Sequence, residues 1–184
     1  MNNRLKISCF FLLIFAGVSL RLLCRDIPNF APVGALALFA GFFFRSYLIA
    51  AMVPVTVVTI SNFQLGGYEN VWVMMSVYAC FILPTLLGRW YLKNRSGNLS
   101  APRVLTFSFS GALLFFFVTN FTFYLSYYPP TAAGFVDCYL AAIPFFRYTL
   151  VGDLFFCFVF FGGYEWITRL SMADQAETAA VVAD

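Results

Sequence analysis

Residues 104–127 read VLTFSFSGALLFFFVTNFTFYLSY, an unbroken run without one charged side chain. A helix needs about 20 apolar residues to cross the hydrocarbon core of a bilayer, and this run supplies them. Outward from it the pattern repeats. Apolar stretches cover 7–24, interrupted by Arg21, then 30–44, 47–63, 71–92 and 148–170. Pro84 is expected to kink the stretch that holds it. The reading is therefore an all-α fold: a polytopic membrane helix bundle of six transmembrane helices. Thr131 to Phe146 is shorter and carries Asp137 and Pro144, so a re-entrant or interfacial segment is expected between the fifth and sixth helices.

Composition agrees. Hydrophobic residues make up 62% of the 184, charged residues 10%, and mean hydropathy is +0.85. A soluble fold of this size could not hide so much apolar surface, and a disordered chain would be far more polar. One membrane domain is expected over 1–172, followed by an acidic, disordered tail over 173–184. Asn94 to Ala101 is the clearest polar loop. Arg4 and Lys6 precede the first run as in a secretory signal, yet no small-x-small cleavage site follows. Leu23 is also too large for a lipoprotein site before Cys24, so the first helix is expected to be retained.

The basic residues set an orientation. With the amino terminus in the cytoplasm, Arg4, Lys6, Arg45, Arg89, Lys93, Arg95, Arg103 and Arg169 fall inside, against Arg21, Arg25 and Arg147 outside. That asymmetry favours a cell inner (plasma) membrane protein with both termini cytoplasmic.

The chain has no histidine, which removes Ser–His and Cys–His catalytic pairs, HExxH zinc sites and His-ligated haem. No enzyme activity, metal or cofactor is expected. A net charge of +3 without a basic run gives no footprint for nucleic acid. The five cysteines show no paired spacing and read as small packing residues, a Cys24–Cys138 disulfide being unsupported.

Polar residues inside spans are costly, so each needs a reason. On this topology Asn29, Asn62, Asn120, Tyr124, Arg147 and Asp153 lie toward the outer face, with Arg21, Arg25, Glu69, Tyr127 and Asp137. They suggest an aromatic-lined recess that opens outward. Asn120, Tyr124 and Tyr127 share one helical face at i, i+4 and i+7. Asp153 should find a cation, with Arg147 and Arg21 as the candidates, or take a proton. Glu165 can pair with Arg169 at i+4. Pro28 and Pro32 forbid regular helix before Pro32, and Gly34, Ala35, Ala37, Ala40 and Gly41 give the next helix a small-residue side.

Three segments carry a resemblance: PNFAPVGALALFAGFFF (28–44), FFFVTNFTFYLS (115–126) and AAIPFFRYTLVGDLFF (141–156). Together they resemble an uncharacterised family of small bacterial multi-spanning membrane proteins with a PNFxPVGAxALFxG signature. The layout is also similar to the substrate-binding S components of energy-coupling-factor transporters. That resemblance implies signature positions at Asn29, Asn120, Arg147 and Asp153. It further implies a small solute bound from the outer face and separate transporter subunits as partners, alongside the lipid bilayer. Two departures stand out. Asn62 occupies a place where the family pattern carries Asp, and the first helix lacks the A-x-x-x-A docking stripe, for which Ala37-x-x-x-Gly41 is the candidate substitute. The alternative function is a structural or assembly membrane protein without transport.

Overall fold

The computed structural model of the chain describes residues 3–44, 46–92 and 99–183. Arg45, most of the 94–101 loop and Asp184 lie outside the described residues. Six helices follow one another: α1 (Asn3–Leu23), α2 (Val33–Phe43), α3 (Tyr47–Leu65), α4 (Val71–Tyr91), α5 (Ala101–Tyr127) and α6 (Ala132–Ala183). All but α2 are long and apolar enough to cross a membrane. The bundle's outer surface is that of a protein dissolved in lipid: Phe15, Leu48, Phe63 and Phe158 are all more than 70% exposed.

The short helix is the centre of the fold. At 1.5 Å per residue, α2 spans about 16 Å, too little to cross on its own. Its neighbours shield it from lipid: Val33 and the residues from Ala35 to Gly41 are all buried. One side (Val33, Leu36, Ala40) joins α1 and α3 in a core with Val53, Val57 and Val58. The other (Ala35, Leu38, Phe39) joins α5 and α6 in a core with Val104, Phe156 and Phe161. A helix apolar all round is a buried helix. The irregular stretch before it carries Asn29 in the left-handed region, φ 59°, which Asn tolerates better than most residues. Pro32 directly precedes the first helical residue, as the two prolines require.

Glycines set the close approaches. A methyl group on Gly41 would overlap the Thr85 backbone, and one on Gly88 would overlap the Leu38 carbonyl, so α2 and α4 cross backbone to backbone. The Ala37-x-x-x-Gly41 stripe is thus consumed inside the bundle: Ala37 is fully buried and Gly41 lies on α4. It offers no docking surface to a separate subunit.

Helix ends follow familiar chemistry. Asn70 Oδ1 accepts from the Trp72 and Val73 amides at 2.8 and 3.3 Å to start α4, and Ser46 caps α3. Gly66, at φ 82°, closes α3.

The last helix departs from expectation in two ways. No re-entrant break occurs over 131–146: α6 runs from Ala132 straight through Pro144. Neighbouring α5 makes this affordable, since Tyr139 donates to the Phe117 carbonyl at 2.8 Å and Phe116 packs on Phe146 at 4.9 Å. Helix also continues to Ala183 where disorder is expected, through an Ala-, Glu- and Gln-containing segment of good helix propensity.

Candidate functional site

Between the helices lies a cavity of about 610 Å³. The α1–α2 stretch (Arg25, Asn29, Phe30), the α3–α4 loop (Tyr68) and the α5–α6 turn (Tyr128) all contribute to it, so it belongs to the end of the bundle where those three connections gather. Phe81, Phe107, Phe115, Phe116 and Phe146 build its walls. A shallower depression beside it is lined by Gly67, Glu69, Asn70 and Tyr127.

Asp153 lines the cavity from α6 and is only 8% exposed. Neither expected cation is its partner, and among the described residues it makes no ion pair. Instead its carboxylate accepts from the Ala35 amide and rests on Gly34, where an added methyl would collide with it. Pro32, which precedes α2, gives that helix no side-chain cap. Asp153 supplies one from another helix, placing an acceptor oxygen where the first turn leaves its amides unpaired.

Arg21 is engaged elsewhere. Its Nη1 donates to Ser61 Oγ, to Asn62 Oδ1 at 2.8 Å and to the Val58 carbonyl at 3.3 Å, locking α1 to α3. Tyr68 joins this cluster through Asn62 and Arg21. Burial pushes its phenol above the ordinary value of 10.0, and the Arg21 charge opposes that rise. Arg147 is exposed: it donates to the Tyr148 hydroxyl at 2.8 Å and lies over that ring, away from the cavity.

The six expected site residues therefore separate. Asn29, Asn120 and Asp153 line the cavity. Asn62 reaches it only through Arg21, whose side chain does line it. Tyr124 turns toward α6, with its hydroxyl 3.4 Å from the Thr131 carbonyl and its ring edge-on to Phe135. Asn120 donates to the Phe116 carbonyl at 2.7 Å, so its amide is partly spent on its own helix. The Glu165–Arg169 pair forms at 3.6 Å, as the i+4 spacing predicts. All five cysteines are free.

Sequence reasoning passes over Ser108. Other hydroxyls of α5 (Thr106, Thr119, Thr122 and Ser126) each donate back to the carbonyl four residues earlier. The Ser108 hydroxyl is buried, the residue being 4% exposed, and it turns to the Cys157 side chain of α6 instead. The residue lines the cavity, with its Oγ shut off from it. In sequence it is one of three alternating hydroxyls, Thr106, Ser108 and Ser110, among phenylalanines, a pattern common in membrane helices.

Fold and cavity together define a class: a polytopic membrane helix bundle with an aromatic-walled interior chamber that holds buried polar groups. The chain belongs to the DUF6580 family, a family of unknown function, whose sequence model matches residues 1–176. No curated protein and no solved structure matches the chain.

Proposed function

We propose that this chain binds a small solute in the central cavity, entering from the outer face, as the solute-binding subunit of a transporter. One observation carries the reading: a buried carboxyl, Asp153, lines a chamber of about 610 Å³ together with Asn29, Asn120 and Arg21, within the size range of small-molecule sites. The outward orientation follows from the basic residues, most of which fall at the opposite ends of the helices. On this reading the protein sits in a cell inner membrane with both termini cytoplasmic, and it binds rather than catalyses. Its sequence holds no phosphate-binding loop, so energy coupling is assigned to separate subunits, in the manner of S components.

Mass spectrometry of small molecules that co-purify in mild detergent tests this reading. A stoichiometric metabolite, lost in Asp153→Asn, supports it. Lipid alone, across several detergents and at good yield, counts against it.

A second reading has its own observation. Asp153 caps α2, and a purely structural role needs nothing more of it. Under that reading Asp153→Asn lowers melting temperature and expression together. Under the binding reading it removes ligand and leaves melting nearly unchanged, because an amide oxygen still caps the helix.

A further inference from the structure

Resting on the binding reading, we infer that the solute is an acid, with an anionic group for Arg21 and an apolar body for the phenylalanine walls. The argument starts from the charges that line the cavity. These are two guanidinium groups, Arg21 and Arg25, against the single carboxyl of Asp153. Asp153 faces the start of α2, at Gly34 and the Ala35 amide, and among the described residues it pairs with neither arginine. Arg25 meets Asp26 at 3.7 Å with both side chains largely exposed, so that contact neutralises little. Arg21 is partly buried, and its partners are all neutral: Ser61, Asn62, the Val58 carbonyl and Tyr68. Its bonds to α3 all leave from Nη1. A guanidinium carries five N–H donors in a fixed fork that matches a carboxylate or phosphate. A cation set among membrane helices ordinarily finds an opposite charge, and a bound anion supplies it here.

Polarity changes along the chamber. Arg21, Arg25, Asn29 and Tyr68 stand at the end where the α1–α2 and α3–α4 connections gather. From there the α4 lining runs from Val73 to Pro84, about 16 Å at 1.5 Å per residue. Beyond the arginines, Phe81 and Phe115 stack at 5.2 Å and Phe116 meets Phe146 at 4.9 Å, all four lining the chamber. An acid group at the arginines and an apolar body along these rings match both parts. A cation would meet two guanidinium groups, and a neutral apolar molecule would leave Arg21 without a counter-charge. This chemistry has two sources, a water-soluble aromatic acid and an acyl acid from lipid.

Equilibrium dialysis of the purified full chain in mild detergent, corrected for uptake by protein-free micelles, tests the inference. The probes are 3-phenylpropanoate, 3-phenylpropanamide, 3-phenylpropylammonium and octanoate. Saturable binding of one acid per chain is expected, about tenfold or more tighter than the amide, with the ammonium weakest. Tighter 3-phenylpropanoate assigns the acid to the aromatic source and tighter octanoate to lipid, and either order supports an acid. Arg21→Gln should lose about tenfold for the acid and little for the amide. Because Arg21 also locks α1 to α3, Arg25→Gln is the second variant. It should weaken the acid about threefold at an unchanged melting temperature. The selectivity of the unmodified protein decides the matter even if Arg21→Gln folds poorly. Equal or better binding of the amide or the ammonium overturns the acid assignment and leaves solute binding standing. Failure of both acids to bind overturns it as well, and the co-purification experiment then judges the binding reading separately.

Discussion

Asp153 illustrates how a buried carboxyl is accommodated without a counter-charge. The sequence marks it as costly but suggests an arginine as its partner, because only side chains appear in a sequence. Its actual partner is a main-chain amide of α2, far away in the chain and reachable only because position 34 is glycine. Asp153→Ala should therefore cost about 1–2 kcal/mol, the scale of a lost helix cap, whereas Asp153→Asn should cost much less. Thermal melting in detergent compares the two. Tyr68 supplies a pH test. Its folded pKa lies above the ordinary 10.0, so the folded state holds the phenolic proton more tightly than the unfolded state does. Its contribution to stability is complete below pH 10.0 and is lost as pH rises through the folded pKa. The melting temperature of the unmodified protein should then fall more steeply above that pH than that of Tyr68→Phe. Parallel curves would show that Tyr68 is not buried as described.

At the scale of elements, α2 matters most, and its existence is legible while its role is not. Two prolines, a small-residue side and an apolar run locate it to within a residue or so. That it is the shared centre of two cores depends on five other helices closing around it. Gly88→Val should destabilise by at least about 1–3 kcal/mol, because the added side chain drives into the Leu38 carbonyl and the α2 backbone. Gly111, beside which an added Cβ meets nothing, is the control: Gly111→Ala should leave the melting temperature nearly unchanged. The α1–α3 clasp can be measured as well. A double-mutant cycle between Arg21→Met and Asn62→Leu should return a coupling of about 1 kcal/mol, the range for polar contacts between membrane helices. Tyr124 shows the limit of periodicity. The i, i+4 spacing places it on the same face as Asn120, yet a helical face is broad enough to touch two neighbours. Asn120 meets the cavity while Tyr124 meets α6.

For the whole molecule, the open question is orientation. The α1–α2, α3–α4 and α5–α6 connections contribute together to the cavity, and the reading of the basic residues places them outside. Single cysteines at Glu69 and Thr131, in a background lacking the native five, should react with an impermeant maleimide on intact cells, while one at Ser100 should not. The reverse pattern would turn the cavity toward the cytoplasm and end the uptake reading. Because α6 is one unbroken helix, labelling should show no additional crossing over 131–146.

By itself the sequence determined the solvent and the class. Hydropathy summed over spans of about 20 residues is a local quantity, large enough that no packing arrangement reverses it. It also located most helix ends to within a few residues, through the limits of the apolar runs and the prolines before α2. Tertiary structure alone decided which polar groups meet: that Asp153 closes α2, that Arg21 Nη1 reaches α3, and that Ser108 meets Cys157 of α6. Those outcomes hang on distances between residues far apart in the chain. Backbone amides and missing Cβ atoms, which carry no side-chain signature, decide much of the result.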